Sequence, residues 1–146
     1  MEDYLGTVFD VARYILEQRG PMTAMKLQKL VYYSQAWSLV WDERPLFDES
    51  IEAWANGPVC PELYRAHAGN FMVNQLARGN SAVLATEARD TIDAILETYG
   101  EKDSQWLSDL THMEAPWIDA RGDIPAGERC SNEITHAAMA EYYGSL

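Results

Sequence analysis

Cys60 and His67 form the one nucleophile–base combination that the spacing of residues offers. A thiol attacks as the thiolate, and a nearby imidazole can take its proton. Cys60 stands just before Pro61, which is well placed in the first turn of a predicted helix, and a helix N-terminus lowers a thiol pKa. The competing reading is a small thiol packed in a turn, because free cysteines are usually packing residues. The three histidines, His67, His112 and His136, fall on different predicted elements and form no i,i+4 pair. That spacing lacks the ligand clustering of a zinc site, so no metal and no cofactor are expected. His112 lies at the end of a predicted helix, where an imidazole can bond the last carbonyls, and it reads as structural. No Gly-x-Ser-x-Gly, P-loop or GxGxxG sequence occurs. Carboxylates crowd Asp42, Glu43, Asp48 and Glu49, but nothing places two of them as an acid–base pair. The chain therefore reads as a binding protein rather than an enzyme, with a small cysteine hydrolase as the remote alternative.

The aromatic residues carry more information. There are 5 Trp and 8 Tyr against 3 Phe, and Tyr and Trp combine apolar area with a polar tip, which suits both cores and interfaces. Tyr33, Trp54 and Tyr64 lie off the main apolar stripe or beside a turn and are the candidate partner anchors. The acidic loop with Asp42, Glu43, Asp48 and Glu49 is the candidate steering surface for a basic partner.

The elements that must position these residues are mostly helices. Leu5, Val8, Ala12, Ile15 and Leu16 recur at helical spacing and predict a first helix over 3–18. Thr23 offers an N-cap for a second helix over 24–41 whose apolar residues surround the axis, so it is expected at the centre of the core. Gln35 within it should be hydrogen-bonded if buried. Alternation from Ile51 to Ala55 suggests a short strand, ended by Asn56-Gly57-Pro58, and Val83-Leu84 a second one. Further helices are expected over 61–68, from a Thr86 cap to Tyr99, behind Asp103 or Ser104 over the stripe Trp106, Leu107, Leu110 and Met113, and over 136–143 behind Thr135, with a further short helix or turn at Pro116-Trp117-Ile118. The expected fold is mostly α: one compact domain over 1–146, five to seven helices around a central apolar helix, at most two or three short strands.

Composition narrows the classes. The chain has 146 residues, 47% hydrophobic and 23% charged, which excludes a disordered chain. Eleven basic residues face 23 acidic ones, a net charge of −12. A nucleic-acid backbone or an anionic membrane would be repelled. Two distant cysteines, Cys60 and Cys130, fit reduced thiols rather than a disulfide scaffold. The acidic start Met1-Glu2-Asp3-Tyr4 has no basic n-region, so a cytoplasmic address is the expectation.

Several segments resemble one family. Lys26-Leu27-Gln28-Lys29-Leu30-Val31-Tyr32-Tyr33-Ser34-Gln35-Ala36-Trp37 is similar to the opening signature of the Panacea antitoxin domain, also described as SocA-like, whose members include phage-associated proteins. Pro45-Leu46-Phe47-Asp48-Glu49, Ile51-Glu52-Ala53-Trp54, Gly57-Pro58-Val59 and Tyr64 continue the pattern in order, and Leu110-Thr111-His112 with Pro116-Trp117 resembles its close. The likeness covers about 23–121, leaving a C-terminal extension over 122–146. Cys60 stands where an aliphatic residue is expected, which weakens a catalytic thiol. The resemblance implies an antitoxin that neutralises a protein toxin encoded by a neighbouring gene, by direct binding. Its alternative is an adaptor that delivers the toxin to a AAA+ protease of the ClpXP type. It implies no enzymatic activity, and it leaves the oligomeric state open.

Overall fold

A computed structural model describes residues 6–146. The first helix, α1, runs Val8–Arg19. It starts where Thr7 and Asp10 cap each other: the Thr7 hydroxyl accepts from the Asp10 amide, and the Thr7 amide donates to the Asp10 carboxylate at 2.7 Å. The periodicity had carried this helix back to residue 3; positions 3–5 lie outside the described residues, and Gly6 and Thr7 are not helical. Asp10 is buried and also accepts from the Asn80 amide at 2.6 Å, tying α1 to a distant loop. Thr7→Ala should lower stability by about 0.5–2 kcal/mol, read from the urea midpoint.

Strand β1 (Met22–Thr23) leads into α2 (Ala24–Trp41), where Thr23 accepts from the Lys26 amide as expected of an N-cap. Every residue of α2 from Leu27 to Ala36 is buried, and Ser38 as well. The helix is the axis of the molecule, touched by α1, by strands and by three later helices. Gln35 is fully buried and fully used. Its carbonyl accepts from the Leu46 amide at 2.7 Å, and its amide donates to the Phe47 carbonyl at 2.9 Å, which closes the loop after α2 onto the helix.

Strand β2 (Ile51–Trp54) turns at Asn56 and returns as β3 (Gly57–Val59). Gly57-Pro58, expected to end a strand, instead opens the second arm of the hairpin. α3 (Pro61–His67) follows, and β4 (Met72–Val73) pairs antiparallel with β1. Residues Ser81–Val83 form a 3-10 turn, with the Asn80 side chain accepting from the Ala82 amide, and not the strand expected at Val83-Leu84. α4 (Thr86–Tyr99), α5 (Ser104–His112) and α6 (Ala115–Arg121) come next. β5 (Glu133–Ile134) joins the free side of β2, giving the antiparallel order β3-β2-β5. α7 (His136–Gly144), capped by Thr135, packs on α2.

The fold is therefore mostly α, as expected, with seven helices and small sheets among the described residues. Three of its five strands are two-residue pairs, too short to show an alternating pattern. Among the described residues no helix is long and apolar enough to cross a membrane.

Candidate functional site

A groove of about 610 Å³ opens between the N-terminal half of α2, the β2–β3 hairpin, α3 and the segment before β5. Pockets that hold small ligands fall in the range of roughly 300–1,000 Å³. Gln28 and Lys29 line it from α2, and Trp54 and Tyr64 from the opposite elements. Strand alternation explains Trp54: Ile51 and Ala53 are buried, so Glu52 and Trp54 point the other way. Tyr64 lies on α3 beside the buried Leu63 and His67, and its ring meets that of His67 edge-on at 5.4 Å. The Trp54 and Tyr64 rings also meet edge-on with centroids 5.1 Å apart, an arrangement aromatic pairs favour. The Trp54 indole donates to Glu52 at 2.9 Å, and the Trp54 carbonyl accepts from the Trp117 indole at 2.8 Å. The pair is thus held from both sides while Tyr64 stays 41% exposed.

Gln28 organises the back of the groove. Its carbonyl accepts from the Cys60 amide at 2.9 Å, which fixes the orientation of its NH2 group. That group donates to the Cys60 carbonyl and, at 3.0 Å, to Nε2 of His67. An imidazole nitrogen that accepts is unprotonated, and burial also pushes the His67 pKa down. Cys60 is buried, and burial pushes its thiol up to about 11. A thiol held above the ordinary range carries little thiolate at neutral pH, and the His67 ring, its candidate base, is engaged with Gln28. The pairing considered from sequence does not form.

Lys29 is the unusual member. It is 1% exposed, and among the described residues its amine has neither a hydrogen-bond acceptor nor an ion-pair partner. Burial pulls its pKa down to about 7. The hairpin makes room for it through Gly57, whose φ is +117°. A Cβ there would sit 2.5 Å from Lys29 Cε and 2.9 Å from the Thr111 hydroxyl. Arg121, another buried cation, shows the contrast. It is 3% exposed, and its guanidinium donates to the carbonyls of Ala53, Pro125 and Glu128.

Trp54 and Tyr64, two of the three aromatics singled out from sequence, come together here. Tyr33 does not. It is fully buried, its hydroxyl donates to Glu114 at 2.7 Å and its ring stacks on Tyr99 at 4.6 Å. It is corrected from surface candidate to core, because α2 is covered on the side that carries it. Asp42, Glu43, Asp48 and Glu49 do not line the groove. Asp42 accepts from Thr91 and Glu49 from the Val8 amide, so half of the acidic loop serves to hold neighbouring segments; Glu43 and Asp48 are exposed. His112 lies with its ring nitrogens 2.6 and 3.0 Å from the carbonyls of Ser108 and Ala55, tethering α5 to the hairpin turn.

The model of the family described as Antitoxin SocA-like, Panacea domain, matches residues 27–118. The chain belongs to this SocA-like Panacea family. The matched stretch runs from the first buried turn of α2 into α6, so it contains Gln28, Lys29, Trp54, Gly57 and Tyr64, and it leaves out the groove's Arg129–Ser131 edge. Antitoxin SocA of Caulobacter vibrioides (strain NA1000 / CB15N) is similar at 29% identity over 124 residues, covering 73% of this chain. The match spans 66% of that relative's length. No solved structure matches. Sequence reasoning missed Gln28 and Lys29 as site residues of the Panacea domain. The available signal was their type: two long polar side chains inside a helix apolar on all sides must end in a partner or a cavity.

Proposed function

We propose that this Panacea-family chain is an antitoxin that neutralises a cognate protein toxin by direct binding, and that the groove walled by Trp54 and Tyr64 is its contact surface. Family membership supports the antitoxin role. The observation that carries the surface is the edge-on Trp54–Tyr64 pair standing at a groove of about 610 Å³. Rigid aromatics beside a concavity are the usual anchors of a protein interface. Glu43 and Asp48, exposed in the loop that follows α2, would act on association rate through the field of a chain of net charge −12.

The test is co-expression of the tagged chain with the toxin encoded by the neighbouring gene, followed by co-purification and growth rescue. Trp54→Ala and Tyr64→Ala should each weaken the complex by about 2 kcal/mol or more, roughly 30-fold in Kd, with melting temperatures near that of the parent chain. A toxin that is neutralised but never co-purifies, with rescue lost in cells lacking a ClpXP-type protease, would replace blocking by delivery to the protease.

A further inference from the structure

We propose that the groove is a receptor for an acidic peptide segment of the partner, with the amine of Lys29 as the counter-charge for one of its carboxylates. The inference rests on the neutralisation reading only in assigning that segment to the toxin.

The argument starts from an imbalance. The chain carries 23 acidic residues, yet none of the described ones stands within ion-pair distance of Lys29. An isolated buried ammonium is costly, and folded proteins answer by pairing it, by hydrogen-bonding it or by letting it lose its proton. Arg121 shows that this fold can satisfy a buried cation when it serves as a strut. Lys29 has no such carbonyls within reach and ends at the lining of a cavity, and the hairpin carries a left-handed glycine where any side chain would displace it. With burial holding its pKa near 7, the amine is poised to accept a proton when a carboxylate arrives.

The surroundings favour an anion presented on a peptide. Arg65 and Arg129 line the same groove, so three cations face one carboxylate, Glu52, which already accepts from Trp54. This is a local reversal of sign in a chain of net charge −12. Trp54 and Tyr64 supply apolar area beside the cation, which a free inorganic anion would leave unused and the neighbouring side chains of a peptide would cover.

The test uses the full chain and a library of random heptapeptides with amidated ends. Wild type should enrich sequences with Asp or Glu flanked by apolar residues. A synthetic peptide of the enriched sequence should bind at least ten-fold more weakly when its acid is replaced by Asn or Gln, a comparison that needs no protein variant. Lys29→Met should show the same loss while melting at or above the wild-type temperature. Enrichment of neutral or basic peptides, enrichment no better than on an unrelated acidic protein, or undiminished binding to Lys29→Met would overturn the proposal. Displacement by sodium phosphate or acetate at the peptide's own concentration would assign the site to a small free anion and overturn the peptide source. A toxin that co-purifies equally with wild type and Lys29→Met defeats this inference and leaves neutralisation by binding intact. A toxin that never co-purifies defeats neutralisation by binding, and the peptide comparison alone then decides the groove.

Discussion

Glu114→Ala is expected to lower the unfolding free energy by about 2–6 kcal/mol. The Tyr33 and Tyr143 hydroxyls both donate to the same Glu114 oxygen at 2.7 Å, and the Tyr32 hydroxyl lies 3.0 Å from that of Tyr143. All four residues are buried between α2, α6 and α7. Removing the shared acceptor strands two hydroxyls where water does not reach, and each orphaned buried group costs about 1–3 kcal/mol. Glu114→Gln keeps an acceptor oxygen and should lose much less. Urea unfolding at constant m-value is the measurement, and an unchanged midpoint for Glu114→Ala would show that the hydroxyls find other partners. The pH dependence has a definite sign. Burial raises the Glu114 pKa, so the folded state favours the neutral acid and takes up a proton on folding. The stability this contributes is present at low pH and is lost as pH rises through the folded-state pKa. Glu114→Gln, which cannot titrate, should therefore gain on wild type as pH rises above the ordinary carboxylate range.

Lys29→Met should be more stable than wild type, and by an amount that shrinks as pH rises. The lysine pKa falls from 10.5 in the unfolded chain to about 7 when folded. Between those values the unfolded chain holds a proton that the folded chain has released, so wild-type stability climbs with pH. Relative to Lys29→Met the climb is about 1.4 kcal/mol per pH unit from pH 7 upward, and the gap is widest at pH 7 and below. Glu52, Arg65, His67 and Arg129, which line the same groove, are present in both proteins and cancel. Unfolding curves at pH 6, 7, 8 and 9 would check this. Parallel stability profiles would mean that the amine is solvated in the folded state. A surface lysine replaced in the same way would show no such trend, and the Arg19–Glu101 ion pair is exposed and worth little.

Much of the helical frame was legible. Thr23 and Thr135 announce two helix starts and do cap them, and Asp103, one of two candidates for a third, caps α5, because a side-chain oxygen satisfying an orphan amide is a local interaction that the neighbouring residues decide; Thr86, expected to cap α4, instead lies inside it behind Ala85. The all-round apolarity of α2 located the core for the same reason. What stayed hidden is non-local. β1, β4 and β5 exist because distant backbone groups find each other, and two residues carry no period. Trp106 and Met113 have the spacing of an inward stripe with Leu107 and Leu110, yet they are 43% and 70% exposed, because α5 presents only a narrow face to α2. Tyr33 and Tyr64 are the same residue type near turns or stripe edges, and only the packed structure separates core from surface. The groove was half visible, in Trp54 and Tyr64. Its charged member was not, since a lysine in a Panacea signature reads as a solvated head until its surroundings are known.

The Tyr32–Tyr143 contact joins residues 111 positions apart. A ribosome adding about 5–20 residues per second completes α2 about 5–19 s before α7 is begun. Through that interval the part of the central helix that meets α7 has no cover, and Glu114 arrives before one of its two donors. A nascent chain of this family member is therefore an open, sticky intermediate until α7 docks, and any chain cut short of residue 136 stays one. Such fragments would be ready substrates for chaperones and proteases, so the supply of working protein is tied to synthesis reaching α7 by the order in which the core is built.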